Sequence, residues 1–284
     1  MKLRAVVQFR GDKLAFVSAW NSGAARKIEL GVITLEPDSV EYQTLRATYD
    51  EYARTHRMVW AERRLVDYDA DELRSYEILE LRVNRSAGPG GNAYAIAYAE
   101  DITCSICGRR TLRQVSDLTV QLRDFLDSDL VDGDKFADLH ITDNAEIILS
   151  DRIRPVLEQW QSRDLSFRPL HTLDESSASP KYWQLVVDAT IGPALDPSPV
   201  ERNAICKNCQ RPREVLFTLL PGALGSEFYF SRASLQDASI FRTRDEFGRG
   251  PIYQPIYFIS QTLYRSLDAA RATGFTVQPA HLRD

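Results

Sequence analysis

Four cysteines, arranged as two CxxC pairs, are the residues of this chain whose type and spacing could do chemistry. The pairs are Cys104 with Cys107, in DITCSICGRR, and Cys206 with Cys209, in RNAICKNCQRP, and the chain has no other cysteine. A CxxC turn presents two thiolates from one tight loop, and Zn²⁺ in a structural site takes four ligands in a tetrahedron. Because each pair supplies half of such a site, the spacing predicts one four-cysteine zinc site shared by both pairs.

The sequence leaves two other interpretations of the cysteines open, namely two redox-active CxxC pairs or four unrelated free thiols. The redox interpretation is the weaker one, because neither pair shows the strand-then-helix setting in which a helix N-terminus lowers the pKa of a thiol. A catalytic zinc is also disfavoured, since four protein thiolates leave no coordination position for water. We therefore expect the ion to be structural.

The composition is that of an ordinary globular protein. The 284 residues are 44% hydrophobic and 26% charged, with a net charge of -5, which argues against disorder and against a general binder of polyanions. No apolar run is long enough for a membrane span, and charges interrupt the apolar residues of the N-terminus, MKLRAVVQFRGDK. We expect a cytoplasmic protein without a membrane partner, in a reducing compartment where paired cysteines favour metal binding over disulfides.

Residues 1–73 are predicted to form an N-terminal α+β region of their own. Its predicted elements are a strand over residues 2–9, a hairpin partner over 15–20 across Gly11, a helix over 38–56 and a short helix from Asp69. In the longer helix, apolar residues recur at helical spacing behind an N-cap at Asp38 or Ser39, the kind of residue whose side chain accepts a hydrogen bond from the first helical turn.

The rest of the chain carries an internal similarity. IILSDRIRPVLEQWQSRDLSFRPL aligns without a gap on YFISQTLYRSLDAARATGFTVQPA, with identities at Ser150/Ser260, Leu157/Leu267 and Pro169/Pro279. Each copy reads as a strand, a serine N-cap, an amphipathic helix and a second strand ending in proline. Gly274 suits a left-handed cap at the end of the later helix, and Pro155 indicates that the earlier helix begins close to it.

This similarity predicts a duplicated fold. Upstream, YEILELRV from Tyr76 aligns on YWQLVVDA from Tyr182, and each segment precedes a CxxC pair. We predict an α+β protein in which two related halves, residues 74–172 and 173–284, follow the smaller N-terminal region, with the zinc ion linking the halves. The alternative is that strand, serine cap and helix is a common local pattern that arose twice without duplication.

Other candidate sites have ordinary interpretations. The four histidines show no catalytic or metal-binding pattern, SAGPGGN at residues 86–92 is expected to be a hairpin connection, and the acidic run at 124–134 a solvated loop. Basic residues surround both CxxC pairs and are either solvated charges or a patch for nucleic acid or an acidic protein surface. They are Arg109, Arg110, Arg113, Lys207, Arg211 and Arg213. No catalytic constellation is recognised, so we do not expect an enzyme.

Several segments resemble a family of bacterial proteins named for a double CxxCG motif, with many paralogues in myxobacteria. The resemblance covers roughly residues 74–284 and is carried by CSICG, CKNCQ, the strand endings FRPL and TVQP, and the stretch IFRTRDEFGRGPIYQPIYFISQTLYRSLDAARATGF. The second motif departs from the family pattern, because Gln210 stands where the family has glycine. Members are regarded as immunity proteins that neutralise toxins delivered between bacterial cells.

The resemblance implies a cytoplasmic immunity-type protein that binds a cognate toxin, with Cys104, Cys107, Cys206 and Cys209 as its metal ligands and no catalytic residues. The alternative function is a nucleic-acid-binding zinc protein that uses the arginines around the CxxC turns. The identity of the toxin and the oligomeric state are not predicted by the sequence.

Overall fold

The protein has an α+β fold, as predicted. The computed structural model describes residues 2–11, 13–24, 26–28, 32–56, 58–83, 98–108, 110–120, 137–142, 144–160, 165–172, 181–196, 198, 200–209, 211–217, 227–244, 246–249 and 254–284. Two compact units are present, the first covering Met1–Glu72 and the second covering Leu73–Thr218 with Glu227–Asp284. The predicted boundary between residues 172 and 173 lies inside the second unit, and the division into three domains stays a prediction.

The first unit is built on a three-stranded antiparallel sheet. Its strands are β1 (Lys2–Gly11), β2 (Val32–Leu35) and β3 (Met58–Asp67), in the order β2-β1-β3. Its helices are α1 (Lys13–Gly23) and α2 (Val40–Tyr52). Ala5, Val7 and Phe9 alternate along β1 and are fully buried in one apolar cluster with Phe16 and Leu45, so the period of two along the strand defines the core face.

The predicted hairpin partner over residues 15–20 is wrong, because these residues lie in helix α1. Phe16 is fully buried and its ring lies 4.8 Å from that of Phe9, while Val17 and Trp20 pack against the same cluster. Trp20 follows Phe16 by four residues and Val17 by three, the spacings that place side chains on one side of a helix. Strand β1 pairs along its whole length with β3, with Ala5 opposite Arg64. Because the paired residues are about sixty positions apart, the residues next to β1 in the sequence do not indicate this partner.

Both predicted helices of this region are confirmed. Ser39 is the N-cap of α2, and its hydroxyl accepts a hydrogen bond from the Tyr42 N–H at 3.1 Å. A short helix, α3 (Ala70–Arg74), begins after Asp69. Asp69 and Glu72 each accept the other's backbone N–H, at 2.8 and 2.9 Å, which is the reciprocal arrangement of a capping box.

Two larger sheets form the centre of the second unit. The five-stranded sheet has the order β7-β10-β11-β9-β8, from β7 (Leu118–Val120), β8 (Leu139–Ile141), β9 (Ile147–Ser150), β10 (Leu165–Thr172) and β11 (Tyr182–Val187). The six-stranded sheet has the order β12-β16-β18-β4-β19-β15, from β4 (Ile78–Val83), β12 (Thr190–Ile191), β15 (Phe228–Ser231), β16 (Ile240–Thr243), β18 (Tyr257–Ser260) and β19 (Phe275–Arg283).

Each of these sheets takes an inner strand from the other predicted repeat. Strand β11 lies between β9 and β10, and β4 lies between β18 and β19. The registers correspond, since Ser150 pairs with Tyr182 and Ser260 pairs with Ile78. The predicted alignment of Tyr76 on Tyr182 is therefore wrong by two residues, a shift that keeps side chains on the same face of a strand and so preserves the hydrophobic pattern. The duplication itself stays a prediction.

The two serines of the predicted repeat have different roles. Helix α5 (Gln261–Ala269) has Ser260 as its N-cap, with the hydroxyl accepting from the Leu263 N–H at 3.2 Å, as predicted. Helix α4 (Arg154–Glu158) instead begins after Ile153, without a side-chain cap. The predicted cap at Ser150 is wrong because its hydroxyl donates to the buried carboxylate of Asp138 at 2.7 Å.

The left-handed residue that ends α5 is Arg271, with φ of 50°, and not Gly274. The Ala272 N–H bonds to the Leu267 carbonyl and the Arg271 N–H to that of Asp268, which is a Schellman motif. Gly274 also has a positive φ of 90°, and a Cβ atom there would lie 2.2 Å from the carbonyl oxygen of Leu139. Residue 274 must therefore be glycine because β8 approaches its backbone closely.

Aromatic side chains fill the core beside the six-stranded sheet. Phe228, Phe230, Phe241 and Phe258 are almost completely buried, and the Phe258 ring lies edge-on to those of Phe228 and Phe230 at 5.3 and 5.0 Å. Such edge-to-face pairs are favoured contacts of aromatic rings. In the described part of the chain, no helix has the length and apolar character needed to cross a membrane.

Candidate metal centre

Two β-hairpins in the second unit carry the CxxC pairs. The first hairpin consists of β5 (Tyr98–Thr103) and β6 (Arg110–Gln114), and Thr103 pairs with Arg110 directly before and after the turn. The second consists of β13 (Val200–Ile205) and β14 (Pro212–Phe217), which also pairs with β17 (Gly248–Arg249). Each CxxC pair therefore lies in the turn of an antiparallel hairpin, which holds its two thiols on one tight loop.

The four cysteines lie together and could hold a metal ion. The Cys104 and Cys206 sulfur atoms are 3.8 Å apart, and those of Cys107 and Cys209 are 3.7 Å apart. All four sulfur atoms lie within 4.8 Å of one another. A tetrahedral ion with bonds of about 2.3 Å to sulfur needs sulfur-to-sulfur distances of about 3.8 Å, so the cluster has the dimensions of such a site.

Burial divides the cysteines in the same way within each pair. Cys104 and Cys206, the first residue of each pair, are buried, whereas Cys107 and Cys209 are half-buried. The two buried sulfur atoms are neighbours, and so are the two half-buried ones. Each close contact therefore joins one hairpin to the other, which makes the cluster a connection between segments about a hundred residues apart in sequence.

Hydrogen bonds stabilise the thiolate form of the two buried cysteines. The pKa of Cys104 is lowered to about 5, chiefly by the backbone N–H of Cys107 and also by the side chain of Asn208. The pKa of Cys206 is lowered as well, first by the backbone N–H of Cys209 and then by that of Asn208. Thiolates are the metal-binding form of cysteine, so the turns favour the protonation state that an ion requires.

Asn208 is the functional residue that the sequence analysis missed. It lies in the second turn, and its side-chain amide donates to the Cys104 sulfur of the first turn at 3.5 Å. Such contacts to metal ligands orient them and tune their charge. The one signal in the sequence is a short amide side chain inside the second CxxC pair, CKNC, and only the folded hairpins show that it reaches the other pair.

Gly108 has the backbone conformation that the sequence suggested. Its φ is 70°, and its N–H donates to the Cys104 carbonyl at 2.8 Å to close the first turn. A Cβ atom would meet nothing within 4 Å, so the backbone conformation alone favours glycine here. In the second turn the Cys206 N–H donates to the Arg211 carbonyl at 2.9 Å, and Gln210 lies outside the described residues.

Of the other candidates from the sequence, Lys207 and Arg211 flank the cysteines, and the histidines described below have other contacts. Lys207 and Arg211 are exposed, whereas Arg109 and the side chains of Arg110, Arg113 and Arg213 are not described. His140 is buried and contacts the Ala137 carbonyl, and His281 contacts Glu227. Among the described residues the group of potential metal ligands consists of the four cysteines and includes no histidine. Residues 86–92 and 124–134 lie outside the described part.

Fold and site together define an α+β protein with a four-cysteine centre able to hold a metal ion. The chain matches no model of a known protein family, and no curated protein matches it. The resemblance to the double CxxCG family therefore stays a prediction.

Proposed function

We propose that the four cysteines hold one structural Zn²⁺ ion that joins the two hairpins. The observation that carries this proposal is that all four sulfur atoms, two from each hairpin, lie within 4.8 Å of one another. Four thiolates are a soft ligand set that suits zinc, and the separations of 3.8 and 3.7 Å between the hairpins are those of a tetrahedral site. Magnesium and calcium prefer oxygen ligands, which this cluster does not offer.

A closed site of this kind contributes stability rather than chemistry. Four protein ligands leave no position for water or substrate. Binding an ion to four preassembled thiolates contributes on the order of 10 kcal/mol to folding in favourable cases, which is comparable to the whole net stability of many domains. The ion would therefore act as a connection between Cys104 and Cys107 of one hairpin and Cys206 and Cys209 of the other.

Elemental analysis of the purified chain under reducing conditions tests the metal. We expect one equivalent of zinc per chain. Two equivalents would mean separate sites, iron would mean an iron–sulfur or rubredoxin-like centre, and no metal would remove the proposal. Cys206→Ser should lose the ion, whereas Ser105→Ala, at an exposed position of the first turn, should keep it.

The proposed role of the whole protein is to bind and neutralise a cognate bacterial toxin without catalysis. Two observations support this role: the resemblance of the CxxC segments and strand endings to the immunity-type family, and the connection of two hairpins by one centre. A connected, preorganised surface loses less conformational entropy when it binds a partner. The protein would be cytoplasmic, where the toxin has to be neutralised.

Co-expression with a toxin encoded beside the gene tests this role. The chain should restore growth and co-purify with the toxin domain, and the Cys206→Ser variant should do both less well because the hairpins are no longer connected. Failure of the wild-type chain to rescue growth or to co-purify would reject the role. The zinc measurement is independent of that result.

A further inference from the structure

Two exposed isoleucines lie beside the four-cysteine centre. In the part of the chain that is described, five large hydrophobic side chains are strongly exposed: Leu14, Val40, Ile106, Val115 and Ile205. Ile106, which is 57% exposed, lies between Cys104 and Cys107, and Ile205, which is 63% exposed, directly precedes Cys206. Isolated exposed hydrophobic residues are normal, but here two residues from different hairpins lie next to the same centre.

The geometry of the cysteines places both isoleucines next to the same four-cysteine cluster. Each isoleucine is a direct chain neighbour of a cysteine, and the cysteine sulfur atoms lie within 4.8 Å of one another. Successive Cα atoms are about 3.8 Å apart, so both isoleucines lie at the margin of the same centre. The hairpins cannot separate them without breaking the cluster.

Basic residues lie close in sequence to both isoleucines. The two hairpins, residues 98–114 and 200–217, contain four acidic residues, namely Glu100, Asp101, Glu201 and Glu214, and seven basic residues. The basic residues are Arg109, Arg110, Arg113, Arg202, Lys207, Arg211 and Arg213. Four thiolates around a divalent ion carry a net charge of about -2, so the two hairpins keep a small positive charge, with Lys207 and Arg211 exposed in the second turn.

We propose that Ile106, Ile205, Lys207 and Arg211, here called the knuckle surface, dock an acidic protein segment that also carries apolar side chains. This inference rests on the proposed binding function and assigns the surface it uses. Exposed basic side chains attract acidic groups and accelerate association. The exposed isoleucines offer apolar area that becomes buried when a protein covers it.

A protein partner fits this surface better than a nucleic acid does. Proteins that hold single strands stack bases on aromatic side chains, and neither residues 101–114 nor 200–214 contain phenylalanine, tyrosine or tryptophan. Non-specific duplex binding is supplied by basic residues, and its electrostatic attraction gains nothing from exposed isoleucine. The combination of apolar and basic side chains therefore favours an acidic, partly apolar protein segment.

Two double variants separate the apolar from the electrostatic contribution. The first is Ile106→Ser with Ile205→Ser, and the second is Lys207→Glu with Arg211→Glu. The control is Leu14→Ser, which removes a hydrophobic residue of the first unit that is more exposed than either isoleucine. The probes are a 20-residue peptide of glutamate and leucine, its lysine and leucine counterpart, and a 30-nucleotide DNA as single strand and as duplex. Metal content and circular dichroism establish that each variant is folded.

We expect the full-length wild-type chain to bind the acidic peptide at low salt and not the basic one. Each double variant should weaken binding about tenfold or more, the charge-reversal variant should also lose the salt dependence, and the control should bind like the wild type. The proposal is overturned if the acidic peptide does not bind, if the variants bind it unchanged, or if DNA binds more tightly.

Growth rescue in the co-expression experiment distinguishes failure of the knuckle surface from failure of the toxin role. If the wild type binds the acidic peptide through the knuckle surface but does not rescue, the toxin role is wrong and the surface assignment holds. If the wild type rescues and both double variants rescue equally well, the toxin role holds and the knuckle surface is not its docking site.

Discussion

Asp138 accepts two hydrogen bonds from Thr273, a residue 135 positions later in the chain. The Asp138 Oδ2 atom lies 2.9 Å from the Thr273 backbone nitrogen and 3.0 Å from its hydroxyl oxygen. The other carboxylate oxygen accepts from the Ser150 hydroxyl and from Arg152, and Arg152 also donates to the Ala270 carbonyl at the end of α5. This buried carboxylate therefore connects the two predicted repeats at a second place, distinct from the cysteines.

The Asp138 network predicts a loss of stability in acid. Burial alone raises the pKa of Asp138, but hydrogen bonds from Arg152, Ser150 and Thr273 together bring it below its ordinary value. A carboxyl with a lowered folded-state pKa contributes stability above its unfolded-state pKa of about 3.9, and this contribution is lost as the pH falls through the folded-state value. Asp138→Asn should lower the free energy of unfolding at pH 7 by about 2–4 kcal/mol.

Urea unfolding as a function of pH measures this effect. Between pH 7 and about pH 3 the wild type should lose more stability than Asp138→Asn, since the variant has no charge at this position to lose. Asp188→Asn, in an exposed position, is the matched control. Equal pH dependence of wild type and Asp138→Asn would show that other carboxyl groups govern acid unfolding.

Removing one cysteine should remove the metal and weaken the second unit. In the Cys206→Ser variant three thiolates remain, and the ion's contribution to folding is lost, so the free energy of unfolding should fall by roughly 3 kcal/mol or more. The measurement is urea unfolding with and without a chelator, together with the metal-to-protein ratio. Ser105→Ala should behave like the wild type, whereas the stability of Cys206→Ser should not respond to the chelator. A chelator that leaves the wild type unaffected would contradict the prediction.

Replacing Asn208 should raise the pKa of Cys104 and weaken metal binding. Asn208→Ala deletes the amide that donates to the Cys104 sulfur, and this hydrogen bond favours the thiolate. We expect the thiolate absorbance of the metal-free protein to appear at higher pH than in the wild type, and metal affinity to fall about tenfold. Lys207→Ala, at the adjacent exposed position, is the control, and identical titrations for both variants would exclude the role of the amide.

Gly274→Ala should be far more damaging than Gly108→Ala. Both glycines have positive φ, but a Cβ atom at residue 274 would lie 2.2 Å from the Leu139 carbonyl oxygen, whereas one at residue 108 would meet nothing within 4 Å. Gly108→Ala should therefore cost about 1–2 kcal/mol from the backbone conformation alone. Gly274→Ala should cost the same backbone penalty and, in addition, the free energy needed to displace β8. Thermal unfolding of the two variants compares them, and equal losses would contradict the steric argument.

The strand order predicts that the two halves expected from the sequence cannot fold separately. A fragment of residues 73–172 lacks β11, the strand that pairs with both β9 and β10, so these two strands have no partner between them. We expect this fragment to give the poorly dispersed amide spectrum of an unfolded chain. Co-expression with residues 181–284 should restore dispersion, and a well-dispersed spectrum from the first fragment alone would contradict the shared arrangement of strands.

The features predicted correctly from the sequence are those determined by neighbouring residues. The N-caps at Ser39 and Ser260 follow from a hydroxyl and an amide three positions apart. The grouping of Cys104, Cys107, Cys206 and Cys209 followed from ligand chemistry, because two CxxC turns complete one tetrahedron. These inferences needed no knowledge of which strands are neighbours.

Tertiary structure alone decided the features that depend on distant partners. Helix α1 replaced the predicted hairpin because β1 pairs with β3. Ser150 bonds to Asp138 rather than capping a helix, and Asn208 reaches the sulfur of Cys104 across the centre. The positions of β4 and β11 in their sheets were likewise not predicted. Hydrophobic alternation defines which face of a strand is buried, but it does not specify which other strand lies beside it.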